Sequence, residues 1–177
     1  HKPVLLHEVI RFIKPGKGDI IVDATIGAGG HSCEILKMIK PDGLLIGIDK
    51  DAEILKIADK YLSKISDSYK LYQADYADLV YILDKLKISK VNGILLDLGV
   101  SSLQLDSLER GFSFSKEGPL DMRMDRTKGI TAEDLLKRLS QREMADIFWR
   151  YGEEGRSRRI AKAIIQERRR GAEIKTT

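Results

Sequence analysis

The sequence predicts an α/β fold: an open, mostly parallel sheet with helices on both faces, followed by a helical subdomain. Three observations support this prediction. Short apolar runs alternate four times with segments of helical periodicity in the first hundred residues. These runs are almost continuously apolar, which is typical of parallel strands that are buried on both faces. After them comes an irregular stretch, and then three amphipathic segments with helical spacing.

The elements of the first half can be assigned in chain order. The predicted strands cover residues 20–23, 44–49, 70–75 and 93–98, and the helices between them cover 31–40, 52–65 and 79–86. Each strand ends at or near an acidic residue: Asp23, Asp49, Asp75 and Asp97. Because the carboxyl ends of parallel strands share one edge of a sheet, and ligands bind at that edge, the four acids indicate a functional edge.

The chain from residue 99 to 127 is rich in Ser, Gly, Asp and Arg and has no clear period. An irregular stretch of this length inside a compact domain is usually functional or disordered, and its aromatic and Met content argues against disorder. Phe112 and Phe114 are the aromatic side chains of this stretch. The favoured interpretation is that they anchor the loop on the core.

Helical patterns resume at Thr131, where Thr131 with Asp134 resembles a capping box, and Ser140 with Glu143 forms a second one. Gly152 and Gly171 are suited to end the second and third helices of this half. The predicted domains are therefore an α/β domain at residues 1–101 and a helical subdomain at 102–177.

The positions of the charged residues say more about function than the overall composition does. Lys and Arg number 31 against 27 acids, a net charge of only +4. The C-terminal segment is locally basic, with two acids, Glu167 and Glu173, among its cations Arg156, Arg158, Arg159, Lys162, Arg168, Arg169, Arg170 and Lys175. This segment could attract phosphates, while a solvated helix face is the alternative.

The numbers of cysteine and histidine residues bear on the cellular compartment and on whether a metal site is expected. Cys33 is the single cysteine, so no disulfide forms within the chain and a reducing compartment is expected. The apolar runs are far shorter than the ~20 residues that span a bilayer, so no membrane partner and a cytoplasmic location are expected. Three His residues and one Cys without ligand spacing predict no metal site.

Gly27-Ala28-Gly29-Gly30 follows the first strand, and glycines there let the backbone turn sharply and approach a ligand. The loop lacks the third glycine of the dinucleotide fingerprint and the Lys of a P-loop. Asp49 lies 20 residues after Gly29, where a carboxylate can accept hydrogen bonds from two ribose hydroxyls. Since S-adenosylmethionine has no pyrophosphate, the short glycine pattern favours it over a nicotinamide cofactor, which stays as an alternative for an oxidoreductase.

Two further residues lie where such a donor would bind. Tyr76 follows the third strand, where an aromatic ring can stack on adenine; an ordinary half-buried Tyr is the alternative. His31 opens the first helix after the glycine loop, and it either contacts the amino-acid end of the donor or caps the helix.

Six motifs carry a resemblance to a known family. They are PVLLHEV at 3–9, DATIGAGGHS at 23–32, GILLDLGVSS at 93–102, RGFSF at 110–114, GPLDMRM at 118–124 and YGEE at 151–154. They are similar to motifs of the bacterial small-subunit rRNA cytosine-N4-methyltransferases of the MraW type. They are long, keep their order and span the chain.

The resemblance implies a Rossmann-like methyltransferase sheet with a helical subdomain inserted after the fourth strand. It implies methylation of N4 of a cytidine in 16S rRNA of the small ribosomal subunit, with S-adenosyl-L-methionine as donor. The implied donor-binding residues are Gly29, Gly30, His31, Asp49, Tyr76, Asp97 and Gln104. Asp97 is also the candidate catalytic residue, as a partner of the cytosine amine, although contact with the donor is the favoured role. Since the cytosine must leave its stack to reach the methyl group, Phe112 and Phe114 are candidates for the pocket that holds it. Arg110, Arg123 and the C-terminal basic segment could hold RNA phosphates.

The chain departs from the family pattern at its C-terminal end. Family members continue past the segment that matches residues 174–177, return to the sheet for its remaining strands and carry an SFHSLEDR motif, none of which occurs here. A sheet of four strands is expected to leave an edge and an apolar surface uncovered. The alternatives are a truncated enzyme, a donor-binding fragment without activity, or a fold completed by another chain or by a second copy in a homo-oligomer. The glycine loop with Asp49 disfavours a plain RNA-binding protein.

Overall fold

The computed structural model describes residues 3–115 and 117–177. The chain divides into two compact units, His1–Ser102 and Leu103–Thr177. In the described residues, no helix combines the length and the apolar character that crossing a membrane requires.

The first unit contains a sheet of four parallel strands. They are β1 (Ile20–Asp23), β2 (Leu44–Asp49), β3 (Tyr69–Gln73) and β4 (Gly93–Leu95), in the order β3-β2-β1-β4. In the register, Val22 of β1 lies opposite Ile46 of β2 on one side and opposite Ile94 of β4 on the other. The prediction of an α/β fold with a parallel sheet is confirmed.

Strands β3 and β4 are shorter than predicted, because side chains compete for the backbone at their ends. The Asp75 carboxylate accepts a hydrogen bond from Ala77 N, so the chain turns into a 3₁₀ helix at Tyr76–Asp78. After β4, Asp97 N donates to the Thr25 hydroxyl instead of to a carbonyl of a neighbouring strand. Both strands therefore end about two residues before the acid that follows them.

Helices cover the two faces of this sheet. They are α1 (Leu6–Ile13), α2 (Gly30–Ile39), α3 (Ala52–Leu62) and α4 (Leu79–Lys85). Alternate strand residues point to opposite faces, so Ile21 packs with α1, α2 and α3 on one face, while Val22 packs with α4 on the other. Helix α1 was not predicted, although its first four residues belong to the first family motif.

A glycine in the middle of β2 makes room for the loop after β1. A Cβ at Gly47 would lie 2.3 Å from Ile26 Cδ1 and 2.7 Å from Leu71 Cδ2. Ile26 is only 4% exposed and belongs to the core of the sheet. The residue immediately before Gly27 is thus packed over the bare backbone of a central strand.

Strand β4 lies at an edge of the sheet within the part of the chain that the structure describes. Apolar side chains on and after this strand are exposed: Ile94, Leu96, Leu98 and Val100. The expectation that four strands leave an edge and an apolar surface uncovered is therefore met.

The second unit is helical. Its helices are α5 (Ser102–Asp106, which starts at the last residue of the first unit), α6 (Ala132–Arg138), α7 (Gln141–Gly152) and α8 (Ser157–Arg169). Both predicted capping boxes are present, at the start of α6 and of α7. Met144, Ala145 and Ala161 form the centre of a small core between α7 and α8.

The stretch predicted to be irregular, residues 99–127, contains the short helix α5 and a 3₁₀ turn at Leu108–Arg110, and the rest of its described residues are irregular. Phe112 is half-buried, but Phe114 is 94% exposed. The interpretation that both rings anchor the loop on the core is therefore wrong for Phe114, whose neighbours Ser113 and Ser115 bond to each other at the surface.

Candidate functional site

The glycine loop joins β1 to α2 through left-handed backbone. Gly27 and Gly29 have φ of 53° and 84°, a region that residues with a Cβ rarely adopt. Helix α2 begins at Gly30, and its first intrahelical bond runs from Cys33 N to Gly29 O. The amides of the first turn therefore point beyond the start of the helix, where they can meet an anionic group.

Asp49 closes this loop from the end of β2. Its Oδ2 accepts a hydrogen bond from Gly27 N at 3.0 Å, and its Oδ1 accepts one from Asp51 N at 2.9 Å. Burial raises the pKa of Asp49 above its ordinary value, against the opposing effect of these bonds. Each carboxylate oxygen retains a second lone pair, so two hydroxyl donors can still be accepted.

Asp23, at the end of β1, forms hydrogen bonds with other residues at the same edge of the sheet. It is 1% exposed, accepts a hydrogen bond from the Ser32 hydroxyl at 2.6 Å, and accepts one from Thr25 N at 3.3 Å. Burial raises the pKa of Asp23 to about 6. Thr25 in turn accepts the bond from Asp97 N at 2.7 Å. These bonds connect the ends of β1 and β4 with the first turn of α2.

Tyr76 stands beside an ion pair at the end of β3. Its side chain is about half exposed, and Lys50 Nζ lies 5.8 Å from the centre of the ring. The same Nζ lies 2.7 Å from Asp75 Oδ2, which raises the pKa of Lys50 and lowers that of Asp75. The ring therefore offers an accessible aromatic surface whose cation neighbour is fixed.

The His31 ring contacts the segment that precedes α1. Its Nε2 lies 2.8 Å from the carbonyl oxygen of Val4, and the side chain is buried. The cap residue of α2 is Gly29, so the prediction that His31 caps the helix is wrong. A Cβ on Gly30 would lie 3.2 Å from Pro3 Cβ, so the segment before α1 also lies against the loop.

The structure places most of the predicted donor residues at one edge of the first unit. The carboxyl edge of the sheet carries Gly29, Gly30, His31, Asp49, Tyr76 and Asp97. Gln104 is buried on α5 in the second unit, and its part in the donor site stays a prediction. Sequence reasoning missed Thr25, Ser32 and Lys50. The signal for Thr25 and Ser32 is a hydroxyl side chain two and nine residues after Asp23. The signal for Lys50 is a cation next to Asp49 in the sequence.

These residues fit the chemistry of an adenosyl donor. The Asp49 carboxylate matches a pair of ribose hydroxyls, and the exposed Tyr76 ring matches adenine. The open backbone at Gly27, where a Cβ would meet only Thr25 O at 3.9 Å, allows a ligand to approach the main chain. Across residues 3–115 and 117–177, no three His, Cys, Asp or Glu side chains are grouped so that they could hold a metal ion.

In the second unit, hydrogen bonds within the protein engage several of the arginines that were predicted to contact phosphates. Arg110 is 4% exposed and its Nη2 donates to the carbonyls of Arg123 and Met124, so the prediction that Arg110 meets phosphates is wrong. Arg123 is held by both oxygens of Asp121, at 2.7 and 2.9 Å. In the C-terminal basic segment, Arg168 donates to Leu139 O.

Comparison with known proteins supplies the family. Curated relatives named Ribosomal RNA small subunit methyltransferase H match the chain, and three of them serve as examples. The one from Dictyoglomus turgidum is 48% identical over 96% of this chain and 58% of its own length. Those from Thermotoga neapolitana and Syntrophus aciditrophicus are 50% and 49% identical over 95% and 100% of this chain, and 56% of their own length. The chain thus spans little more than half the length of these relatives.

Solved structures are more distant. Fibrillarin from Aeropyrum pernix with natively bound S-adenosyl-L-methionine matches with a TM-score of 0.41 and 17% identity, over 51% of this chain and 38% of that chain. The assignment therefore rests on sequence. The model of the MraW methylase family matches residues 1–177. The chain, with its parallel sheet and its glycine loop closed by Asp49, belongs to the MraW methylase family.

Proposed function

We propose that this chain transfers a methyl group from S-adenosyl-L-methionine to N4 of a cytidine in 16S rRNA of the small ribosomal subunit. The observation that carries the proposal is the loop of Gly27–Gly30 closed by the Asp49 carboxylate at the carboxyl edge of a methylase sheet. The names of the relatives support rRNA of the small subunit as the substrate. The cytidine and its N4 come from the resemblance of the motifs.

The donor is held by residues of the first unit. Asp49 accepts the two ribose hydroxyls, and Tyr76 stacks on adenine. Gly29, Gly30 and His31 contact the amino-acid end of the donor, with backbone amides at the start of α2 because the His31 ring is engaged by Val4. When bound, S-adenosyl-L-methionine supplies an electrophilic methyl group on its sulfonium.

Asp97 is the residue that we place nearest to the acceptor. The exocyclic amine of cytosine is a weak nucleophile because its lone pair is delocalised into the ring, so positioning must supply much of the rate increase. The side chain of Asp97 is exposed and its backbone N–H is fixed by Thr25 at 2.7 Å. Its carboxylate is therefore open to accept a hydrogen bond from the donor or from the amine.

The test is transfer of a tritiated methyl group from S-adenosyl-L-methionine to small ribosomal subunits that lack the modification, with donor binding followed by calorimetry on the same sample. We expect incorporation at one cytidine. We expect Asp97→Ala to lose at least about a hundredfold in rate, since one positioned hydrogen-bonding group contributes 10²–10³-fold in comparable sites. Asp84→Ala, an exposed acid on α4, is the matched control and should keep full activity.

The two measurements separate the alternatives. Donor binding without incorporation would contradict transfer by this chain and favour the donor-binding fragment. Full activity of Asp97→Ala would contradict both roles of Asp97, because neither donor contact nor amine contact survives the substitution.

A further inference from the structure

One flank of α7 combines an arginine with the single tryptophan of the chain. Arg142, Ala145 and Trp149 recur at intervals of three and four residues, so they lie on the same side of the helix. Trp149 is 60% exposed, which is unusual for so large an aromatic side chain. A groove borders this flank, and Gln141, Arg142, Ala145, Asp146 and Arg158 line it.

A row of cations on α8 continues from this groove, which we name the α7–α8 groove. Arg158, Lys162 and Arg169 are four and seven residues apart, so they also share one flank of their helix. All three are exposed, and within the described part of the chain none of them forms an ion pair. In contrast, Arg170 is paired with Glu167 at 2.6 Å.

The two flanks meet, because Arg158 lines the groove together with Arg142 of α7. From Arg158 to Arg169 the row extends roughly 16 Å along the helix axis. Asp146 is the acid that lines the groove, against the cations Arg142 and Arg158. The surface therefore offers positive charge along a line with an aromatic ring beside it.

We propose that the α7–α8 groove binds a single-stranded segment of RNA, with a base stacked on Trp149 and phosphates on Arg142, Arg158 and Lys162. Stacking on an exposed aromatic side chain beside a basic track is how proteins hold single strands, whereas paired bases leave few ring faces open. The inference rests on the proposed function for RNA as the partner, and it deepens that proposal by naming the surface.

Because Trp149 is the single tryptophan, its fluorescence reports directly on this surface. We expect a short oligocytidylate to quench the emission of the full chain, and a blunt RNA duplex of the same length to leave it nearly unchanged. The apparent affinity should fall with salt, and the slope of log affinity against log salt should decrease by roughly 0.7 for each phosphate contact removed. The double substitution Arg158→Ala with Lys162→Ala should therefore reduce the slope by about 1.4.

The matched control removes the same charge next to the row. Arg159 follows Arg158 in α8 and Arg156 is the residue before the helix, so both lie about 100° or more from Arg158 around the axis, and within the described residues neither forms an ion pair. The Arg156→Ala, Arg159→Ala double variant should keep the quenching and most of the slope. For Trp149→Ala, binding of a dye-labelled oligocytidylate should weaken by about fivefold or more, the loss expected for one stacked base.

Three outcomes would contradict RNA binding in the α7–α8 groove. The first is an equal loss of affinity in the two double variants, and the second is unchanged binding of the oligocytidylate by Trp149→Ala. The third is equal quenching by an oligoglutamate, which would indicate an acidic peptide as the ligand. Methyl transfer without quenching of the Trp149 emission would contradict RNA binding in the groove and leave the proposed function intact. Quenching with the expected variant effects but without methyl transfer would support the groove and contradict the proposed function.

Discussion

At Asp23 the chain places a carboxyl group where water does not reach it. The group is 1% exposed, and its bonds to Ser32 and Thr25 do not compensate for the lost hydration, so burial raises its pKa from 3.8 to about 6. A raised folded-state pKa means that the folded chain binds this proton more tightly than the unfolded chain does. The resulting stability is fully present below about pH 4 and is lost as the pH rises to about 6.

Asp23→Asn should remove this pH dependence. The free energy of unfolding of the variant, relative to the unsubstituted chain, should increase between about pH 4 and pH 6 and then stay level. The upper limit of that increase is about 3 kcal/mol, from a pKa difference of about two units. Urea unfolding at several pH values measures it for both chains. A difference between the two chains that stays constant across this range would contradict the raised pKa.

Single residues also show how far sequence reasoning reaches. The acids at the strand ends were predictable, because each of them ends or follows a short, almost continuously apolar run. Thr25 and Lys50 were not, because their roles depend on partners that the fold brings close: Asp97, 72 residues from Thr25, and the Tyr76 ring. Arg110 was misread for the same reason, since its burial between carbonyls is invisible in the local sequence.

At the scale of elements, local signals predicted best. Both capping boxes in the second unit were identified because cap and partner lie three residues apart. Helix α1 escaped prediction because its cap position is Leu5, with a left-handed φ of 52° and no side-chain bond. The exposure of Phe114 also escaped prediction, because nothing periodic in the irregular stretch indicates which ring turns inward.

The cap of α7 gives a prediction for this scale. The Ser140 side chain accepts from Glu143 N, and Glu143 Oε2 accepts from Ser140 N at 2.8 Å. Ser140→Ala should reduce the free energy of unfolding by about 1 kcal/mol, because it leaves an amide of the first turn without its partner. Ser140→Thr retains the hydroxyl and should lose much less. If both variants unfold at the same urea concentration, the cap does not stabilise α7.

For the whole molecule, the observation with the widest consequence is that the chain spans 56–58% of the length of the three relatives. The fold of the first unit and its uncovered edge were both expected from the four strands, and the assembled sheet identifies β4 as that edge. The donor site lies at the carboxyl edge of that sheet, so donor binding can be tested apart from catalysis.

Binding of the donor should stabilise the folded chain. At a concentration one hundred times the dissociation constant, a ligand that binds only the folded state adds about 2.7 kcal/mol to the free energy of unfolding. We expect S-adenosyl-L-methionine to raise the melting temperature, and Asp49→Ala to abolish the increase. NAD at the same concentration serves as the comparison. A larger increase with NAD would favour the nicotinamide alternative.

The packing of Ile26 over Gly47 has a thermodynamic consequence for that binding. A side chain lodged against the bare backbone of β2 leaves the neighbouring glycines little freedom to reorganise, despite their intrinsic flexibility. A ligand that meets this loop therefore finds its amides already ordered, and little conformational entropy remains to be lost on association. The glycines supply the shape of the loop, and the isoleucine keeps that shape before any ligand arrives.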